Sequence, residues 1–260
     1  MIQTSIQVLV DRIEQVVGET DFYGAISIHQ ESAPLYEQAF GYRDIQNQLP
    51  NLPGTRFGIA SGTKFFTALG IGRLIDQGRL ELGTEVGELS PDYAGFINPR
   101  ATIQHLLTHT SGVYDYYDEE TEQDFDHFFA AIPWYHLETP SDYWPLFQGQ
   151  AAKFQPGARF SYSNGGYIFL GLLIEKITGQ LFRDFMQEQI FQVTHMPQTG
   201  FYALNNLPPT LPWAISKTAR QPIFTTCRFG AVAMAACLPL PKTCALSGNI
   251  FSPIAFSHPN

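Results

Sequence analysis

Apolar residues in the first twenty positions recur at helical spacing. Ile6, Leu9, Val10, Ile13, Val16 and Val17 share one stripe, which predicts an amphipathic helix closed by Gly18. The pattern then changes to short β-rich runs, Ala25–Gln30 and Leu35–Tyr42, separated by Glu31-Ser32-Ala33-Pro34, and this predicts a hairpin. Pro50, Pro53 and Gly54 mark a loop. From Ser61 the helical period returns through Phe65, Phe66, Ala68, Leu69, Ile71, Leu74 and Ile75 to a stop at Gly78, with Gly70 and Gly72 predicting close packing against another element. Thr102–His109 predicts a short helix ended by a Thr110-Ser111-Gly112 turn. Residues 114–129, YDYYDEETEQDFDHFF, predict an acidic, aromatic surface loop or lid. Helices over Tyr167–Thr178, stopped by Gly179, and over Leu181–Phe191 complete the pattern, and no internal repeat interrupts it. The most apolar stretch, Ile168 to Ile174, spans seven residues, where a bilayer crossing needs ~20. No membrane partner is expected from it. The start of the chain has no basic lead into an apolar run, so the reading predicts a cytoplasmic protein without a signal peptide.

Composition narrows the class. The 260 residues are 44% hydrophobic, 14% aromatic and 15% charged, which describes a folded globular chain and excludes a disordered one. A net charge of −9 argues against a nucleic-acid partner, because phosphate neutralisation needs a basic face. The charge is unevenly placed. Residues 1–188 carry 11 basic and 24 acidic side chains, a net −13, whereas the remainder holds only Lys217, Arg220, Arg228 and Lys242, a net +4. Cys227, Cys237 and Cys244 also lie in that remainder, as do eight prolines from Pro208 onward. The shift marks a boundary near residue 209, dividing a main domain over 1–209 from a tail over 210–260. Three cysteines without a CxxC pair indicate neither a disulfide framework nor a zinc site.

Candidate chemistry begins at Ser61-Gly62-Thr63-Lys64, an SxxK motif at the start of a predicted helix. Residues three apart on a helix share a face, so the ammonium can reach the hydroxyl. A serine hydroxyl needs a neighbouring base to act as a nucleophile, and a desolvated lysine can supply or assist that base. The helix N-terminus favours the negative charge that develops. Tyr162-Ser163-Asn164 stands before a Gly165-Gly166 step into another helix, placing a phenol and a carboxamide above a rigid element. A tyrosine beside a cation can serve as general base, and an asparagine can position Lys64 or bind a substrate amide. His105 and His109 are four apart and share a helix face, a spacing also used by zinc helices. No Glu follows His105, so the reading takes both as core or capping residues and assigns no metal. Tyr114, Tyr116 and Tyr117 either line a cleft or pack, and the acidic residues beside them read as a solvated surface.

Three segments in this order, FGIASGTKFFTALGIGRLIDQGRLEL, ATIQHLLTHTSGV and FQPGARFSYSNGGYIFLGLLIEKITGQ, resemble the β-lactamase-related serine hydrolases. That group contains class C β-lactamases, D-alanyl-D-alanine peptidases and related esterases. The wider superfamily carries SxxK, SDN and KTG motifs, and Tyr162–Asn164 standing in the SDN place is similar to the class C branch. The resemblance implies an α+β fold: an antiparallel sheet flanked by helices, with a helical region and the active site between the two. It implies Ser61 as acylated nucleophile, Lys64 and Tyr162 sharing proton transfer, and Asn164 in substrate binding and positioning. The reaction implied is two-step acyl transfer from a small ester, amide or peptide substrate to water, with no cofactor. One oxyanion-hole donor would be the Ser61 N–H, and the other would come from a late strand bearing a KTG-like or HxG-like triad.

That third motif is absent from the expected place. The KT pairs, Lys217-Thr218-Ala219 and Lys242-Thr243-Cys244, lack the glycine. The expectation is therefore that C-terminal strands are missing, that residues from about Thr210 are translated out of frame, and that the chain has little or no turnover. Back-translation with a shifted frame over 223–260 permits a string containing GDGG, similar to a glycine-rich turn of the same family. The alternative function is a ligand-binding or sensor protein that uses the same cleft without turnover. Oligomeric state is left open.

Overall fold

The computed structural model describes residues 2–20, 22–31, 33–89, 95–122, 131–133, 136–203, 206 and 207. The tail over 210–260 and residues 123–129 of the acidic segment lie outside the described residues, so the expectations placed there do too.

The N-terminal part pairs one helix with a hairpin. Helix α1 (Ile2–Glu19) turns Ile6, Val10, Ile13 and Val17 inward, half-buried, where it meets strand β2. Leu9 and Val16 belong to the expected apolar stripe but are each 43% exposed, so the packed face is narrower than the sequence pattern. Strand β1 (Gly24–Gln30) pairs antiparallel with β2 (Ala33–Phe40). The register shifts between Ile28 and His29, so Leu35 is the extra residue of a bulge. The turn is tighter than the expected four residues, because Gln30 already pairs with Ala33 and Glu31 takes a left-handed φ of 55°.

The second strand also ends earlier than the expected Tyr42. Gly41 adopts φ 68°, and a Cβ there would stand 2.5 Å from the Tyr23 ring, so the chain bends where only glycine fits. Beyond the bend, β3 (Tyr42–Asp44) pairs antiparallel with β4 (Leu49–Pro50), taking Pro50 out of the expected loop.

The core lies in the helical region. Helix α2 (Thr63–Asp76) buries Ile71 and Leu74 against Phe169, Leu170, Leu173 and Ile174 of α6 (Asn164–Thr178) and against Phe185 and Met186 of α7 (Phe182–Met186). Each such side chain contributes about 1.5–3 kcal/mol on burial. Gly70 lets the helices approach: a Cβ there would lie 2.8 Å from Met186 Sδ and 3.1 Å from Ile174 Cδ1. The same expectation does not hold for Gly72, which faces open space. Helix α7 runs on through a wide π turn, Gln187–Phe191, completing the helix expected over 181–191.

Shorter elements frame this core. They are α3 (Val86–Leu89), α4 (Ile103–Leu107) and α5 (Trp144–Phe147), the last preceded by a 3-10 turn over Pro140–Tyr143. A capping box between Thr102 and His105 starts α4. The helix stops before the expected His109, whose φ of 57° takes the chain out of the helix. Helix α6 starts three residues before the expected Tyr167, with Ser163 Oγ accepting the Gly166 N–H as its N-cap, and ends on left-handed Gly179. No described residue of the four strands besides Gly24 is fully buried, so the β layer is thinly covered among the described residues.

Candidate active site

Ser61 sits in the 3-10 turn Ala60–Gly62 that leads into α2, so it is presented just ahead of the helix rather than inside its first turn. Ala60 holds φ 44°, a left-handed conformation that costs an L-residue of order 1 kcal/mol and aims the next side chain outward. Ser61 is exposed and Lys64 half-buried. The Lys64 ammonium donates to Ser61 Oγ at 3.2 Å and to Asn164 Oδ1 at 2.8 Å. It also lies over the rings of Tyr162 and Tyr167, 4.8 and 5.9 Å from their centroids. The Tyr162 hydroxyl donates to Ser61 Oγ at 2.8 Å. All four residues singled out in the sequence, Ser61, Lys64, Tyr162 and Asn164, therefore meet in one cluster.

The extended segment before α6 is held from below by the loop after α4. His109 O accepts the Ser161 N–H at 2.8 Å and His109 Nδ1 accepts the Ser163 N–H at 3.0 Å, bracketing Tyr162. The imidazole also lies against the Tyr162 ring, 4.6 Å between centroids and tilted by 32°. Buried Asp115 accepts three amides: Asn164 N–H at 2.6 Å, Gly165 N–H at 2.9 Å and Tyr117 N–H at 3.2 Å. A Cβ on Gly165 would stand 2.7 Å from Tyr114 O, which explains the glycine at this step. Asn164 Nδ2 donates to Tyr117 O and to Glu119 Oε1, each at 3.2 Å, and this leaves Oδ1 facing Lys64.

Burial sets the charge state of both supporting groups. Desolvation, and then the neighbouring Lys64 cation, hold His109 down to about 4, so it is neutral and Nδ1 is free to accept. Desolvation pushes Asp115 up to about 6, against the backbone N–H bonds that favour its carboxylate.

The segment beginning at Tyr114 is a floor rather than a lid over its described part. Asp115 and Tyr117 are buried, and Tyr114 N–H bonds to Phe96 O. Its acidic residues are a solvated face in part, as the sequence reading had it: Glu119 and Glu120 are exposed, whereas Asp118 is half-buried and Asp115 buried. Lys153 pairs with Asp118 at 2.6 Å and Glu120 at 3.1 Å and donates to Ser161 Oγ at 2.8 Å, while Arg159 pairs with Glu120 at 2.6 Å. The Arg159 guanidinium, followed by Lys153, holds Glu120 down to about 2.

His105 and His109 each commit Nδ1 locally, His105 to the Thr102 cap. Among the described residues no group of three or more His, Cys, Asp or Glu side chains is placed to hold a metal. The sequence reading passed over Asp115 and Glu119. The available signal was position alone, since Asp115 follows the family-like segment ending at Val113 by two residues. Lys217–Ala219 and Lys242–Cys244 lie outside the described residues. Among the described residues no helix is long and apolar enough to cross a membrane.

The chain is 32% identical over 191 residues to a penicillin-binding protein of Bacillus subtilis (strain 168), covering 72% of this chain and 40% of that protein. It is 31% identical over 186 residues to protein flp of Staphylococcus aureus (strain N315), covering 70% and 35%. The chain thus spans about two fifths or less of the length of these curated relatives. Among solved structures it is similar to a penicillin-binding protein from Bacillus halodurans, with TM-score 0.77, 34% identity and coverage of 86% of this chain and 68% of the other. A β-lactamase/D-alanine carboxypeptidase from Pseudomonas syringae, at 18% identity and TM-score 0.67 over 89% and 62% of the two chains, shares the fold. The beta-lactamase family pattern matches residues 9–253, across the compositional boundary near 209. An α+β architecture and a family match over most of the sequence agree, and the chain belongs to the beta-lactamase family of serine hydrolases.

Proposed function

We propose that the chain is acylated on Ser61 by a small ester, amide or peptide carbonyl and that water then releases the acyl group. The observation that carries this is the placement of Ser61 Oγ within 2.8 Å of Tyr162 Oη and 3.2 Å of Lys64 Nζ, both inside the reach of proton transfer. With one proton given up between Tyr162 and Lys64, the pair takes the hydroxyl proton as Oγ attacks the carbonyl carbon. As the tetrahedral intermediate collapses, the pair returns that proton to the leaving oxygen or nitrogen. In the second step the pair takes a proton from water as the water oxygen attacks the acyl carbon, and gives it to Ser61 Oγ as the ester bond breaks and the carboxylic acid leaves. Asn164 holds Lys64 in place through Oδ1. The relatives named as penicillin-binding proteins support a penicillin as a covalent probe.

The test is mass spectrometry of the purified chain after incubation with a fluorescent penicillin and with an activated aryl ester. An adduct on Ser61, lost in Ser61→Ala, supports the reading. An adduct on Ser163 or Ser111 overturns it.

The tail from about Thr210 is read as a non-native frame, and slow or absent turnover is its consequence. This rests on the loss of acidic residues after Glu188, the clustered cysteines and the absent third motif. Resequencing that finds the printed frame continuous, together with multiple turnovers of the aryl ester, overturns it.

A further inference from the structure

We propose that His109 and Asp115 are positioning residues for acylation, His109 aiming the Tyr162 phenol and Asp115 aiming the Asn164 side chain. The inference rests on the reading of Ser61 as nucleophile. Four consecutive amides, those of residues 163 to 166, open α6 or lead into it, and a helix leaves such donors without intrahelical partners. Ser163 Oγ serves the last of them. The other three are taken by two side chains from a single stretch of loop, His109 and Asp115.

The arrangement does more than cap a helix. Tyr162 Oη must sit at one distance from Ser61 Oγ, and the residue is bracketed by two hydrogen bonds to His109, from the amides of Ser161 and Ser163. Its ring is set against the imidazole of the same residue. Displacing the Tyr162 backbone therefore breaks bonds to the carbonyl and to the imidazole of one residue, and turning its ring away from Ser61 breaks the contact with that imidazole. Asn164 is held in a matching way, since the amides on both sides of its Cα bond to the two oxygens of Asp115. With the backbone held so, Oδ1 meets Lys64 while Nδ2 meets Tyr117 O. Misplacing a catalytic group by about 1 Å costs on the order of a hundredfold in rate. Neither His109 nor Asp115 bonds to Ser61 or Lys64 in the structure, so both act through the residues they hold.

The experiment follows Ser61 acylation by a fluorescent penicillin under single-turnover conditions, separating the binding constant from the acylation rate constant. His109→Phe keeps the ring and removes the acceptor, His109→Gln keeps an acceptor and removes the ring, and Asp115→Asn turns one acceptor into a donor facing an N–H. Each is expected to lower the rate constant by about ten- to a hundredfold with the binding constant within threefold of wild type. A purely structural role would instead reduce the fraction labelled at saturation and leave the rate constant of the remainder unchanged, and that result overturns the proposal. Rate constants within twofold of wild type overturn it as well. If Asp115→Asn yields no labelled fraction, the two His109 variants decide. A wild-type chain that is never labelled on Ser61 overturns the reading of the nucleophile instead. Amide exchange then judges the clamp, which fails if residues 163–165 exchange in the wild type as fast as exposed amides do.

Discussion

Lys64 donates to Asn164 Oδ1 at 2.8 Å although the two residues are 100 positions apart in the chain. This contact joins the start of α2 to the start of α6, two helices that pack on each other in the central core. It also divides the ammonium between Asn164 and Ser61, which keeps the cation beside the Ser61 hydroxyl without placing it in a closed ion pair.

Replacing Lys64 by Ala should slow acylation of Ser61 by ~10²-fold or more, the usual loss when a proton-transfer partner is removed. Asn164→Ala, which frees Lys64 while leaving it charged, should give a smaller loss. Stopped-flow labelling measures both, and wild-type-like rates in Lys64→Ala would remove that residue from the mechanism.

Gly112→Ala should destabilise the fold and lower its denaturant midpoint. Gly112 holds φ 69°, and a Cβ there would lie 2.1 Å from Phe154 O, a backbone atom that cannot swing aside. Overpacking of this kind costs about 1–3 kcal/mol or more, against a domain's usual margin of about 5–15 kcal/mol. Soluble yield and denaturant midpoint report the result. A midpoint unchanged from wild type would show that the loop after α4 can move away from residue 154.

His109 and Asp115 should give opposite pH dependences of stability. The folded-state pKa of Asp115 is raised from 3.8 to about 6, so the folded chain holds the extra proton in that window and stability rises as pH falls through it, by up to about 3 kcal/mol. For His109 the folded value drops from 6.5 to about 4, so the unfolded chain holds the extra proton and stability falls as pH falls. In Asp115→Asn the loss toward pH 4 should stand uncovered, and in His109→Gln the gain. Denaturant melts between pH 4 and 7.5 check both signs.

Lys153→Met should loosen the segment that carries Asp118 and Glu120. It removes the partner of half-buried Asp118 and of buried Ser161 together, a loss on the order of 1–3 kcal/mol. Arg159→Ala should loosen the segment less, because that pair is exposed and screened by solvent. For Glu120 the folded value is lowered, so its contribution is present above the ordinary carboxylate range and fades as pH falls toward about 2. Protease sensitivity of residues 115–122 at low and at 1 M salt separates the two variants. Equal sensitivity in all three chains would mean that the ion pairs do not hold the segment.

What the sequence determined by itself is local. Ser61 and Lys64 fall on one face because three residues make most of a helical turn, and any chain with that spacing at that position does the same. The glycine stop at Gly179, the hairpin and the run from Tyr167 to Thr178 were likewise legible, since periodicity and capping depend on neighbours a few residues away. The resemblance of three segments brought Tyr162 and Asn164 into the same site, where no spacing rule joins them to Ser61. The rest depends on contacts between residues far apart in the chain. The acidic run after Tyr114 reads as solvated, and Glu119 and Glu120 are exposed, yet Asp115 is buried and Lys153, more than thirty positions later, pairs with half-buried Asp118. Gly70 and Gly72 look alike in sequence and differ only in whether α7 stands opposite. Asp115 is one carboxylate among several until the start of α6 is laid over it. A buried carboxylate must find donors, and the free amides of a helix start must find acceptors, so the tertiary structure alone decided that these two should meet beneath Tyr162 and Asn164.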